Sequence, residues 1–506
     1  MTYQQGAACL LFLSVLAASA ESAETFRPQI PKTWEDAAMK DVELPLAHAE
    51  YSPRHISAEF YYKMPVPPLY RSYAVYHPDR EPQGYLEWLR QREPATVWDS
   101  SKLKTRNDWI RAGELVFSAP VGYGSIAVRG SDGEDLYVRE RSWYEKVRPP
   151  VSSDGILPFY RYIIREKGKI ELGVLSCAMC HTRVLSDGST VKGAQGNFPF
   201  DAAFAQDILA GTATEAINQQ LFNTLYARPW VKSEDYSRLA GMDRAGMATL
   251  LTGRPPGVLT RHRLSPDNPV QIPDLIGVEH RKYLDHTGLQ RHRDIGDLMR
   301  YAALNQGADG IADFGGFIPF TAVLGSNQVQ PEQGSRYSDE QLFALALYVY
   351  SLRPPVNPHQ PNSETARGAQ IFAREGCNGC HTPPLYTNNK LVPAPGFHVP
   401  DAHKERYDIL PVPLGTDASV TLNTLRGTGY YRVPSLKGVW YRGPFEHTGA
   451  VATLEDWFDP RRLQDDYVRA GFSPPSRTTG AVKGHEFGLK LQPDEKRALI
   501  AFLKIL

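Results

Sequence analysis

The chain has 506 residues, of which 56 are basic and 56 acidic, for a formal net charge of zero. That balance excludes the electrostatic footprint of a nucleic-acid binder and gives no reason for attraction to an anionic membrane surface. The length allows two or three domains, and 40 prolines, 41 glycines and 26 tyrosines point to long loops with much aromatic packing.

In chain order, residues 7 to 20, AACLLFLSVLAASA, form a short apolar run ending in Ala18-Ser19-Ala20. This is the h-region and A-x-A site of a secretory signal peptide, although no Lys or Arg precedes it. The run is too short to span a membrane, and Cys9 lies too early in it for a lipid-anchored cysteine. The expectation is a signal peptide over residues 1 to 20 and a periplasmic or secreted protein without a membrane span. Residues 21 to 110 are rich in Pro and Tyr and are expected as an extended segment wrapped on the units that follow. Residues 120 to 172 read as an insertion, in which GSIAVRGSDGEDLYVRE (124 to 140) alternates like a hairpin around a Gly-rich turn.

Four of the five cysteines fall in two motifs, Cys177-Ala178-Met179-Cys180-His181 and Cys377-Asn378-Gly379-Cys380-His381. Both are C-x-x-C-H, the attachment signature of c-type haem. Each thiol can add to one haem vinyl group, and the adjacent His then ligates the iron. The reading is two covalently bound haem c groups, on Cys177 and Cys180 with His181, and on Cys377 and Cys380 with His381. A zinc site would need four convergent ligands, and its cysteine pairs usually lie close together; these pairs are 200 residues apart. A thioredoxin-like C-x-x-C would sit in a βαβ pattern, and none surrounds either motif.

The chain also matches itself in three ordered elements. Before each motif stands a helical segment with Gly and Phe four apart, Gly113 and Phe117, then Gly368 and Phe372. After each motif comes a run from Ile272 to Gly288, repeated from Val433 to Gly449 at an offset of 161 without a gap. It carries Pro273 over Pro434, Arg281 over Arg442 and His286 over His447. Each unit closes with an amphipathic helix, residues 337 to 352 and 491 to 506, at an offset of 154. Leu345, Tyr348, Val349 and Leu352 form one apolar stripe; Leu499, Phe502, Leu503 and Leu506 form the other. This order resembles the class I cytochrome c fold. The fold class expected is therefore mainly α: two tandem cytochrome c-like domains, residues 111 to 355 and 361 to 506, with long loops, a small β insertion and an extended N-terminal segment.

An iron with two protein ligands transfers electrons, whereas one with an open axial position can react with small oxidants. His485, between Gly484 and the terminal helix, is a candidate sixth ligand for haem 2. At the 154 offset it falls on Pro331, which cannot ligate. Haem 1 is thus expected open and haem 2 bis-His through His381 and His485. His286 and His447 match each other and are expected to do the same job in both units, either beside the haem as hydrogen-bonding residues or as alternative ligands. His398 and His403 are further candidates for haem 2, and Met242, Met247 and Met299 for haem 1. A distal pocket at haem 1 could be built from Phe198, Phe200, Phe314 or Phe317, or carry an acid such as Glu279. Catalytic residues are not assigned.

The stretch VPSLKGVWYRGPFEHTGAVATLEDWFDP resembles the signature of bacterial di-haem cytochrome c peroxidases. Arg432, Pro434, Leu436, Pro444, Phe445, His447, Gly449, Leu454, Glu455 and Asp456 fit that pattern. The superfamily also holds the methylamine dehydrogenase maturation enzyme and the di-haem rubber oxygenases. The chain departs from the ordinary peroxidase in having no Met past His447, where the maturation enzyme uses Tyr and Tyr467 is the counterpart to consider. It is similar to the rubber oxygenases in length, in an open first haem and in a distal His near the C-terminus. No Trp lies between Trp230 and Trp440, so an inter-haem bridge would fall to Trp230 or to an aromatic such as Tyr283. The resemblance implies a periplasmic di-haem oxidoreductase of peroxidase or oxygenase type. Its partners would be hydrogen peroxide or dioxygen and an unidentified substrate or electron donor. The alternative is a di-haem electron-transfer protein with both haems six-coordinate.

Overall fold

The computed structural model describes residues 25–124, 137–211, 228–230, 241–261, 263–321, 328–411, 413–474 and 479–506. The signal peptide and most of the expected hairpin at 124 to 140 lie outside these residues. Among the described residues no helix is long and apolar enough to cross a membrane.

Helix α1 (Arg106–Ser118) starts at a capping box in which Thr105 Oγ1 accepts from Asp108 N and Asp108 Oδ2 accepts from Thr105 N, at 3.2 and 2.8 Å. It packs against α2 (Asp339–Ser351), itself boxed by Ser338 and Gln341. In the second half α3 (Ser363–Arg374), capped by Asn362, packs against α4 (Pro493–Lys504). The two crossings are copies. A Cβ on Gly113 would lie 1.9 Å from the carbonyl oxygen of Ala344, and one on Gly368 would lie 2.0 Å from that of Ala498. Ala344 and Ala498 are separated by the offset of 154 found in the sequence. The rings beside each crossing match too: Phe117 to Tyr348 and Phe372 to Phe502 are both 5.3 Å apart.

The middle element is duplicated in backbone conformation as well. Gly277 and Gly438, Asp285 and Glu446, and Gly288 and Gly449 all have positive φ, between 64° and 76°. Asp and Glu adopt that region rarely, so the two copies share one turn design. The copies then bond to each other: Gln271 N donates to His447 O and Arg432 N donates to His286 O, both at 3.0 Å. These bonds exchange under the 161 offset, as a local two-fold relation requires.

The insertion contributes three strands to a sheet, and the N-terminal segment contributes the fourth. Strands β1 (Ser72–Tyr76), β2 (Gly122–Tyr123), β3 (Ile156–Glu166) and β4 (Lys169–Val174) form an antiparallel sheet in the order β1-β3-β4-β2. The described end of the expected hairpin, Tyr137–Arg139, is a single helical turn. The sheet shares a core with the helices Phe200–Leu209 and Arg244–Thr252.

The N-terminal segment is less extended than its composition suggests. It forms short helices at Asp36–Lys40, Ala58–Lys63 and Tyr85–Arg90, and it contributes β1 to the sheet. Trp34, stacked on Tyr61 at 4.4 Å, packs into the same core as α1 and α2. Leu44 joins a core with Tyr283 and with Leu391 and Tyr430 of the second half.

Candidate haem-binding sites

Each C-x-x-C-H motif is a tight turn. Cys177–Cys180 is one helical turn capped by Ser176, whose Oγ accepts from Met179 N at 3.1 Å, and Cys377–Gly379 is a 3₁₀ turn. In both, the His amide donates to the first Cys carbonyl, at 2.8 Å for His181 and 2.9 Å for His381. That bond brings the imidazole back beside the two thiols. All four thiols are free and keep accessible surface. Burial nevertheless pushes Cys177 up to about 11, Cys180 to about 12 and Cys377 to about 11.

The two motif histidines are oriented alike. His181 Nδ1 bonds the carbonyl of Pro273 at 3.0 Å, and His381 Nδ1 bonds that of Tyr386 at 3.1 Å, with the Pro434 carbonyl also at hand. An Nδ1–H held by a carbonyl fixes the tautomer that leaves Nε2 as a metal ligand. Pro273 and Pro434 are the matched prolines of the duplicated run, so that run supplies the backing of both histidines. Burial, with the charge of Arg261 nearby, holds His181 down at about 4, and a neutral imidazole is the form that binds a metal.

Across from His381 stands His485, with ring centres 6.2 Å apart. Two imidazoles bound to one metal ion from opposite sides, each at about 2.0–2.1 Å with about 1 Å more to the ring centre, would sit about 6 Å apart. The pair therefore fits one iron between them. His485 Nδ1 is buried without a hydrogen-bond partner, and burial together with His381 lowers its pKa to about 4. The residue has φ +49°, a conformation that non-glycine residues adopt at a cost. Arg462, almost wholly buried, holds it there. Its guanidinium donates to the carbonyls of Trp457, Gly484 and His485 at 2.9, 3.0 and 2.8 Å. Gly484, at φ +80°, passes so close to the Gly415–Thr416 backbone that a Cβ would lie 2.3 Å from it. Pro331, the counterpart of His485, starts an exposed turn, Pro331–Gln333, beside Met64 of the N-terminal segment.

The remaining candidates take other partners. His447 engages both ring nitrogens, Nδ1 with Glu446 and Nε2 with the Tyr431 hydroxyl at 3.0 Å. His286 Nε2 bonds the Gln271 carbonyl at 2.7 Å. His403 Nδ1 meets the Tyr430 hydroxyl at 3.0 Å, and His398 is exposed. Met247 and Met299 lie in different cores, and Met242 flanks the first of these. Phe198 and Phe200 pack by the sheet, whereas Phe314 and Phe317 pack with Leu46, so the four form no single pocket. Glu279 is exposed in the turn Val278–His280. Trp230 stacks on His48 at 4.5 Å, Tyr283 lies in the Leu44 core, and Tyr467 packs beside Val482. Arg462 and the Pro273 carbonyl were not anticipated. A backbone acceptor leaves no side-chain signal, and Arg462 reads as half of an ordinary Arg pair. Among the described residues no group of three or more His, Cys, Asp or Glu is placed to hold a metal ion by itself.

No family model matches the chain. A curated relative, the uncharacterized protein y4iJ of Sinorhizobium fredii (strain NBRC 101917 / NGR234), is 31% identical over 134 residues, covering 20% of this chain and 22% of the relative. The chain thus spans about a fifth of the length of that curated relative. Among solved structures, a hydrazine synthase of Kuenenia stuttgartiensis is 15% identical over 57% of this chain and 91% of its own, with a TM-score of 0.29. A MauG-like protein associated with microbial copper homeostasis is 17% identical over 46% of this chain and 72% of its own, also at 0.29. At that score neither superposition defines a shared fold.

Proposed function

We propose that the chain is a periplasmic di-haem c-type oxidoreductase built from two cytochrome c-like units. Cys177, Cys180 and His181 hold haem 1; Cys377, Cys380 and His381 hold haem 2, with His485 on its far side. The observation that carries this reading is the facing pair His381 and His485, 6.2 Å apart, in the second unit. A haem iron with a free axial position supplies redox chemistry toward peroxide or dioxygen, while one held by two histidines supplies electron transfer. The protein orients each proximal ring through a backbone carbonyl and clamps the His485 loop through Arg462. A sixth ligand on haem 1 from any other residue would make the chain an electron carrier instead.

The test is ligand stoichiometry on the holoprotein. Two haems per chain are expected by mass, one after Cys177→Ser. Carbon monoxide added to the reduced protein should bind near one equivalent, since a tethered His resists displacement and Pro331 offers nothing to displace. Binding at both haems, or at neither, overturns the division of labour; absence of covalent haem overturns the reading as a whole.

A further inference from the structure

Three arginines, Arg281, Arg432 and Arg442, stand close enough to feel one another's charge, and few carboxylates accompany them. The charge of Arg281 bears on His181, that of Arg442 bears on His381, and both bear on Arg432. Arg281 and Arg442 are the matched pair of the duplicated run, so the cluster straddles the local two-fold between the units. Asp285 is committed elsewhere: its carboxylate takes Arg426 at 2.9 Å and Arg261 at 3.6 Å. That leaves Asp274. Its Oδ1 accepts from Ile276 N and its Oδ2 from the Tyr441 hydroxyl, each at 2.9 Å, and it stands 4.0 Å from Arg442.

The guanidiniums are otherwise met by backbone. Arg281 donates to the carbonyls of Asp274 and Ile276, the latter at 3.0 Å. Arg442 donates to that of Ser435 at 2.7 Å, with its Nε buried and unpartnered. Arg432 donates through Nε to the Asp285 carbonyl at 2.7 Å. Burial, then the charge of Arg281, pulls Arg432 down to about 9, against the opposing pull of Asp285. All three keep some accessible surface. Converging guanidiniums in low dielectric repel one another and are stable only when an anion joins them. Planar forks of this kind match carboxylates.

We propose that Arg281, Arg432 and Arg442 form a carboxylate-binding site between the units that takes the propionate groups of the two haems. The inference rests on the di-haem reading, because it assigns the haem carboxylates as the anions. Each matched arginine serves its own unit, and Arg432 serves the junction. Holding positive charge at that junction favours the reduced state of both irons.

The experiment is a spectroelectrochemical titration of the holoprotein and of Arg432→Gln, with haem content by mass in parallel. Both haems should remain attached in the variant. The midpoint of at least one should fall, equivalent to a tenfold or greater change in its reduction equilibrium, ~59 mV for one electron. Arg432→Lys should recover part of the shift. Arg281→Gln should act mainly on the haem of His181, and Arg442→Gln mainly on that of His381. Two attached haems with unshifted midpoints would overturn the site while leaving the di-haem reading intact, whereas wild-type protein without covalent haem would remove that reading itself. If the variants do not fold, resonance Raman spectroscopy of the wild type decides: its propionate bending modes should be displaced from those of haem peptides cut from the same protein. Undisplaced modes overturn the site. Midpoints that respond to inorganic phosphate alongside undisplaced modes would assign it to a free dianion instead.

Discussion

Replacing Gly368 by Ala tests whether the two helix crossings are copies of one design. The new Cβ would sit 2.0 Å from the Ala498 carbonyl oxygen and 2.6 Å from Phe502 Cβ. Non-bonded carbons prefer about 3.5–4.0 Å, so α3 and α4 must part by roughly 1.5 Å. The obstacle is backbone, and no rotamer change relieves it. Overpacking of this kind costs about 1–3 kcal/mol, and the parted interface adds lost dispersion. Alanine returns about 1 kcal/mol as a better helix former than glycine. The net is about 2 kcal/mol against the second unit, or a melting temperature lower by about 4–8 °C. Gly113→Ala, with its Cβ 1.9 Å from the Ala344 oxygen, should do the same to the first unit. Calorimetry gives the size of each effect, and hydrogen exchange read by mass spectrometry gives its place. Gly368→Ala should deprotect α3 and α4, and Gly113→Ala should deprotect α1 and α2. A loss below about 0.5 kcal/mol in both variants, or deprotection in the opposite unit, would refute the reasoning.

Arg462→Gln removes charged hydrogen bonds to four backbone carbonyls, those of Trp457, Val482, Gly484 and His485, each worth about 1.5–3 kcal/mol. Amide exchange over residues 479 to 489 should accelerate, and on the proposed reading a high-spin fraction should appear at haem 2 in electron paramagnetic resonance; unchanged exchange would show that Arg462 does not hold the loop. Glu43 should matter at acid pH. Burial raises its carboxyl, but Arg263 at 3.2 Å and His55 pull it down from 4.5 to about 2. A carboxyl depressed in the folded state stabilises it above the unfolded pKa, and that contribution is lost as pH falls from 4.5 toward 2. It amounts to about 3 kcal/mol, so Glu43→Gln should flatten the fall in stability across that window, and an unchanged slope would count against the ion pair.

What could be read in the sequence was local. Gly113 and Gly368 announce their helix crossings because close backbone approach admits only glycine, and the 154 offset already paired Ala344 with Ala498. The sheet left no such local signal. From Phe159 to Ile164 strand β3 is buried at nearly every position, because its far face is covered as well, and a strand covered on both faces loses alternation. Its neighbour β1 lies some eighty residues away, in a segment whose composition signals only loops. The matched histidines, by contrast, could have been placed from the duplication alone. Two copies of a run related by a two-fold make the same bonds to one another, and Gln271 with His447 and Arg432 with His286 do so. Whatever both copies keep is the frame that joins the units and backs the proximal rings, so specialisation must be sought where the copies differ. They differ at His485 and Pro331: a strained imidazole clamped by a buried arginine in one unit, a turn-forming proline in the other. Strain at φ +49° persists only where the surroundings enforce it, and Arg462, which donates to the carbonyls of Val482, Gly484 and His485, supplies that enforcement.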